Sequence, residues 1–296
     1  MVSFDAHVAV TSPDAWGGLA QWAGVPALDT AELRQVDELV IFSAHADDET
    51  LGAGGLLARL ARTTITIRIV VATGDTDRAS ELRGALLALG VHAEVEFLGL
   101  ADGGLKHESE QLRREIDRVL EQSGARSLTL GPWPGDRHGD HRTLGREVSD
   151  AARTTGTRLL FYPVWLWQWG TPDDVPWKRL VDVELTESER DAKAAAIRCF
   201  TSQLAAPSNP AGVLSPEFIR HISTNAEVLI RPEWAELDAH FEQLRSGRSD
   251  SAETSALHLD ALRDLKSVNT HLVAAAAYPV LANTGELLST RLRTDL

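Results

Sequence analysis

Two short clusters hold most of the side chains able to bind a cation or move a proton. The first is His45-Ala46-Asp47-Asp48-Glu49, directly after the apolar run ending at Ser43 and directly before Leu51-Gly-Ala-Gly-Gly55. The second is His138-Gly139-Asp140-His141, which follows the run Leu128–Leu130 and the loop Gly131 to Arg137. Each sits where a strand-like pattern passes into a helix-like one. Residues three apart at a helix start face the same side, so His45 and Asp48 can address one cation, and His138 and His141 can do the same. His45, Asp48 and one histidine of the second cluster make three zinc ligands and leave a fourth position for water, which is the catalytic rather than the structural pattern. Bound zinc lowers the pKa of water to ~7 and polarises a carbonyl, while a nearby carboxylate takes the proton. Asp47 suits that base role. The remaining histidine can donate to a developing oxyanion or to a leaving amine, and Asp140 is placed to hold a histidine in the needed tautomer. A shared ion requires the imidazoles of His45 and His141 to lie within about 5 Å of each other.

The elements that must bring the clusters together are legible as alternating periods. Short β-branched runs at 38–43, 65–72, 93–98, 127–130 and 157–162 are separated by amphipathic stretches at about 51–62, 78–90, 108–122 and 142–154. Such alternation predicts an α/β fold, a Rossmann-like three-layer αβα sandwich with a mainly parallel sheet. Gly74, Gly90, Gly99 and Gly124 fall at the junctions, where turns and helix ends favour residues tolerant of positive φ. In a strand order of the 3-2-1-4-5 type, strands one and four are neighbours at the switch point where ligands collect. Both clusters then open into one crevice. Beyond Tyr162 the chain predicts an added aromatic wall, a strand near 179–185, a helix over 187–200, a Pro- and Asn-containing loop at 206–216, and a helix and strand ending near Ile230. The organisation expected is an N-terminal segment 1–37 packed on the domain, a catalytic domain 38–230 and a C-terminal helical extension 231–296. That extension reads as a helix at 232–244, a break at 246–255 and more helix, which cover an apolar edge or form a subunit contact in a homo-oligomer.

Bulk properties narrow the partners. A formal charge of −14, carried by dispersed Asp and Glu, repels a nucleic-acid backbone. The single cysteine, Cys199, cannot form an internal disulfide and fits a reducing compartment. The first residues lack a basic n-region and an apolar core, and no apolar run approaches the ~20 residues of a membrane span; the longest, 272–281, contains Pro279. Cytoplasmic location and a small-molecule partner are the expectation.

The pair His45-Ala-Asp-Asp-Glu and His138-Gly-Asp-His141 resembles the signature of the PIG-L/LmbE family of zinc N-deacetylases, with Ala46 in place of the usual proline. The resemblance implies zinc ligation by His45, Asp48 and His141, with Asp47 as general base, His138 as the electrophilic or acid histidine and Asp140 as the orienting carboxylate. It continues through Arg78-Ala-Ser-Glu81 with Ala85 and Leu89-Gly90, and through Leu98-Gly-Leu-Ala-Asp102-Gly103, which are similar to the family's RxxExxxAxxxLG helix and LGLxDG turn. By that likeness Arg78 and Asp102 are substrate-binding. The implied reaction is removal of an N-acyl group, acetyl first, from an amino sugar or its conjugate. The rival readings are an amidase for a larger acyl group and a non-catalytic sugar-binding relative.

Several features carry blander readings. Asp47 or Asp48 taken alone reads as a helix N-cap, and Glu49 in a first helical turn is favoured by the dipole regardless of chemistry. Gly52-Ala-Gly54-Gly55 lacks the GxGxxG spacing of a dinucleotide site and reads as close helix-to-sheet packing. Trp165, Trp167 and Trp169 alternate as one face of an extended segment would; with Trp133 they offer a sugar platform or ordinary packing.

Overall fold

The computed structural model describes residues 11–74, 76–205, 212–224 and 226–235. The expected helices and break after residue 235, the apolar run 272–281 and most of the 206–216 loop lie outside the described residues. By its contacts the chain separates into two units, Met1–Pro232 and Glu233–Leu296; the fold set out here is that of the first.

Two short helices lead in, α1 (Pro13–Gly17) and α2 (Thr30–Leu33). The β/α series follows: β1 (Glu38–Ser43), α3 (Asp48–Leu60), β2 (Thr66–Thr73), α4 (Thr76–Leu89), β3 (Ala93–Leu100), α5 (Ser109–Gln122), β4 (Ser127–Pro132), α6 (Gly139–Thr155) and β5 (Arg158–Tyr162). The chain continues through α7 (Leu166–Trp169), β6 (Leu180–Asp182), α8 (Glu187–Ile197), α9 (Pro216–Thr224) and β7 (Val228–Ile230). Seven strands form one sheet in the order β3-β2-β1-β4-β5-β7-β6. β1 to β5 run parallel, and β7 and β6 join antiparallel. α3, α4 and α8 pack together, as do α5 and α6, which gives the helix–sheet–helix layers of a Rossmann-like fold.

Burial follows the sequence pattern. Leu39 to Phe42 of the central β1 are 0% exposed, as an uninterrupted apolar run between two helical layers requires. α5 buries Leu112, Ile116, Val119 and Leu120, an apolar stripe at helical spacing with charge on the other face. α3 is buried almost throughout and is broken inside, with Ala53 at φ −137, ψ 17. A Cβ on Gly52 would overlap the Tyr162 ring, so helix-to-sheet contact explains this glycine.

N-terminal residues 11–37 pack on the same unit. Trp16 is fully buried and its Nε1 donates to the Trp167 carbonyl at 3.2 Å, while Leu28 N donates to the Asp182 carbonyl at 2.7 Å. One expectation fails: the tryptophan segment is not extended, because Leu166–Trp169 form the helical turn α7. Alternation there reflects three separate burials. Trp165 stacks on Phe218 at 5.0 Å, Trp167 meets Trp16 edge-on at 5.3 Å, and Trp169 donates its Nε1 to Asp136 at 3.1 Å.

Candidate active site

β1 and β4 are paired neighbours, and the two polar clusters leave their carboxyl ends side by side. The crossovers from β1 and from β4 depart to opposite helical layers, which opens a crevice between them. α3 and α6 begin in this crevice, so both present N-terminal N–H groups to it, and carboxylates in their first turns are electrostatically favoured.

The cluster is tight. One ring nitrogen from each of His45, His138 and His141 lies within 4.8 Å of the other two, although the His45 and His141 ring centroids are 5.6 Å apart. Metal bonding depends on the nitrogens, so the centroid spacing does not separate the pair. Asp48 sits between the two: its Oδ2 accepts from His45 N at 2.8 Å and lies 3.4 Å from His45 Nδ1, while its Oδ1 is 3.1 Å from His141 Nε2. Two ligands of a tetrahedral ion with bonds of ~2.1 Å lie ~3.4 Å apart, so these separations match.

Zinc can be tested against the buried polar atoms. Both ring nitrogens of His141 are fully buried and without a hydrogen bond. Asp48 Oδ1, at 3.1 Å, and Asp136 Oδ2, at 3.4 Å, are within ion-pair range. Buried imidazole nitrogens left in this way are costly unless something else fills the role. Carboxylates also dominate the surroundings, with Asp47, Asp48, Asp136 and Asp140 all at most 5% exposed. A divalent cation answers the orphaned Nε2 of His141 and the excess negative charge, and His/Asp is a donor set suited to zinc.

Protonation follows that field. Burial opposes charge on His141, but Asp48 and Asp136 outweigh it and raise its pKa to about 9. His45, likewise buried, is raised by Asp102, Asp140 and Asp48. His138 goes the other way: desolvation, then the neighbouring His141 and His45, lower it to about 4. Asp47 is pushed up to about 6 by burial and by Asp48. Asp47 occupies the cap position of α3 yet makes no cap hydrogen bond, so the capping reading does not account for it. Glu49 faces away beneath the turn, taking hydrogen bonds from Ser43 Oγ at 3.2 Å and Thr50 Oγ1 at 2.7 Å, and burial raises it to about 8.

A cavity of about 150 Å³ opens beside the cluster. Its polar lining includes His45, Asp47, Asp48, Asp102, His138, Arg78 and Gln203, and its apolar lining is Leu51, Trp165 and Val213. Arg78 Nη2 donates to Gln203 Oε1 at 3.2 Å. Glu81, one turn further along α4, holds the Gln203 loop by accepting from Thr201 Oγ1, Ser202 N and Ser202 Oγ. Asp102 meets His45 Nε2 at 3.0 Å, and that contact first of all lowers its pKa to about 2. Trp167, Trp169 and Trp133 do not line the cavity.

Two residues here went unread in the sequence. Asp136 accepts from Trp165 N, Trp169 Nε1 and His138 N and faces His141 Nδ1; its position two before His138 was the available signal. Asp140, named from the sequence as the orienting carboxylate, lies 3.5 Å from His45 Nε2 and accepts from Gly103 N and Leu105 N. Gln203 had no signal, because its position depends on a loop after α8.

A Rossmann-like sheet with a buried His/Asp cluster at its switch point defines a class of α/β proteins whose site could hold a metal ion beside a small cavity. Residues 40–152 match the family described as PIG-L: GlcNAc-PI de-N-acetylase. The uncharacterized deacetylase YaiS of Escherichia coli K12 is 30% identical over 141 residues, covering 43% of this chain and 76% of that protein. The chain belongs to the PIG-L deacetylase family, a family of hydrolases. Among solved structures, a triple mutant of the deacetylase Orf2 from the teicoplanin biosynthetic pathway shares this fold with a TM-score of 0.51 at 14% identity, covering 66% of this chain and 99% of that one. The conserved protein TT1542 from Thermus thermophilus is 26% identical with a TM-score of 0.47, covering 67% and 94%.

Proposed function

We propose that this chain is a zinc-dependent hydrolase that removes an N-acyl group, acetyl first, from an amino sugar or its conjugate. The observation that carries the reading is that one buried carboxylate, Asp48, lies 3.4 Å from His45 Nδ1 and 3.1 Å from His141 Nε2, with Asp47 and His138 lining the same cavity. His45, Asp48 and His141 would hold the zinc. Three histidines are also mutually close, but Asp48 lies against both His45 and His141. When bound, the ion supplies a water of lowered pKa and polarises the amide carbonyl.

The remaining steps belong to the chain. Asp47, with a pKa raised to about 6, is poised near neutrality to take the attacking water's proton and return it to the amine as the C–N bond breaks. His138, held neutral by its surroundings, offers an N–H to the carbonyl oxygen as charge develops there. Arg78, which lines the cavity, would meet sugar hydroxyls. A volume of about 150 Å³ is small against the ~300–1,000 Å³ of whole-ligand pockets, which favours a short acyl group in the cavity and the sugar outside it. Family membership and the acetyl-linked names of the relatives support the same reaction. No described helix is long and apolar enough to cross a membrane, and a cytoplasmic small-molecule reaction suits this reading.

The test is to incubate purified protein with a panel of N-acyl amino sugars and conjugates and detect the freed amine by mass. Dialysis against a chelator should abolish release, and added zinc should restore it; release indifferent to metal would sink the proposal.

A further inference from the structure

His45 has two ring nitrogens and two sets of neighbours. Nδ1 faces Asp48 Oδ2 at 3.4 Å, on the side of His141. Nε2 faces away, with Asp102 Oδ1 at 3.0 Å and Asp140 Oδ2 at 3.5 Å. A neutral imidazole that binds a cation through one nitrogen carries its proton on the other. We propose that Asp102 is a positioning residue for His45, accepting the Nε2 proton so that Nδ1 is presented to the metal, rather than a contact for substrate hydroxyls. The inference rests on the zinc reading above.

The surrounding turn is built to hold Asp102 in place. Gly103 has φ +73, a left-handed conformation that favours glycine, and Gly104 N closes the turn on the Ala101 carbonyl at 3.0 Å. Asp140, 3% exposed, clamps the turn by accepting from Gly103 N at 2.7 Å and from Leu105 N at 3.3 Å. Glu108 takes Ala101 N at 2.9 Å. Thus the second cluster, through Asp140, fixes the turn whose aspartate fixes a histidine of the first. A carboxylate behind a metal-bound histidine sets its tautomer and ring orientation, and its loss typically costs 10–100-fold in metal affinity.

His45, Asp102 and Asp140 also lie close enough together to ligate an ion themselves, so stoichiometry and affinity must be read together. Zinc binding would be measured by chelator competition on the full chain for wild type, Asp102→Ala, Asp102→Asn, Asp140→Asn and the Asp102→Ala/Asp140→Asn double variant. Expected are one zinc per wild-type chain and ~10–100-fold weaker binding in Asp102→Ala. Asp102→Asn, which keeps an acceptor oxygen, should lose less, and the double variant should lose less than the two single effects combined. Metal-free thermal unfolding, measured alongside, checks that each variant compared is folded, since Asp102 also pairs with His45 in the metal-free chain. Unchanged affinity with a raised KM at saturating zinc would make Asp102 a substrate contact and overturn the inference. So would two zincs in wild type with one lost in Asp102→Ala. A wild-type chain that binds no zinc refutes the parent reading instead, and is told apart by that first measurement.

Discussion

Asp48 Oδ1 and His141 Nε2 stand 3.1 Å apart in a fully buried setting, yet no hydrogen bond joins them. The two come from helices that begin after different strands, so only the β1–β4 pairing makes them neighbours. Their spacing suits two ligands of one ion better than a donor and acceptor.

Ligand identity is therefore separable from catalysis. Asp48→Asn should lose zinc by more than the ~10–100-fold expected of a supporting residue. His138→Gln should keep one zinc per chain and lose ~10²–10³ in kcat, as for an oxyanion donor. Metal analysis alongside steady-state rates checks both; zinc loss in His138→Gln would favour the three-histidine site.

Asp47 should set the acid limb of the rate profile. Its carboxyl is raised to about 6 by burial and by Asp48, and a base works only when deprotonated, so kcat/KM should rise with pH and level off above this value. A bound cation favours the carboxylate and moves the limb lower. Asp47→Asn should cut kcat ~10²–10⁴-fold with zinc content unchanged, and the profile of its residual activity should lose that limb.

His221 predicts a pH-dependent stability away from the cavity. It is 4% exposed, packed beside Trp16 and Trp167, and lowered to about 4 by burial and then Lys193. The unfolded chain takes this proton near pH 6.5 and the folded one does not. Stability should accordingly fall as pH drops from about 6.5 to 4, by about 3 kcal/mol from this group. Urea titrations of wild type and His221→Gln at pH 7 and 5 should differ in that slope; equal slopes would refute the assignment.

The break in α3 has its own support. Glu227, 3% exposed, accepts from Gly55 N at 2.8 Å and Leu56 N at 2.7 Å, and pairs with Lys193 Nζ at 2.7 Å. It thus caps the half of α3 that restarts after Ala53. Removing one partner of a buried pair strands a charge, so Glu227→Ala should cost ~3–5 kcal/mol. Glu227→Gln should cost less. Denaturant midpoints would decide, and a loss under ~1 kcal/mol in Glu227→Ala would show that water reaches Lys193.

Legibility followed locality. The β/α alternation was readable because each element buries its own stripe or run, as α5 does with Leu112, Ile116 and Val119. Where neighbours decided the conformation, reading failed. The tryptophans at 165, 167 and 169 suggested an extended face but form a helical turn held by Asp136, Phe218 and Trp16.

The amino-acid order by itself determined the strand and helix sequence, the residue types available for chemistry and their placement at strand exits, because period and side-chain type are local properties. Only the tertiary structure decided which carboxylate stands behind which histidine: Asp136 at His141, and Asp102 with Asp140 at His45. It likewise decided that Glu227 mends a broken helix and that Gln203 meets Arg78. These are contacts between segments distant in the chain, and their geometry arises from strand pairing and turn conformation rather than from spacing along the sequence.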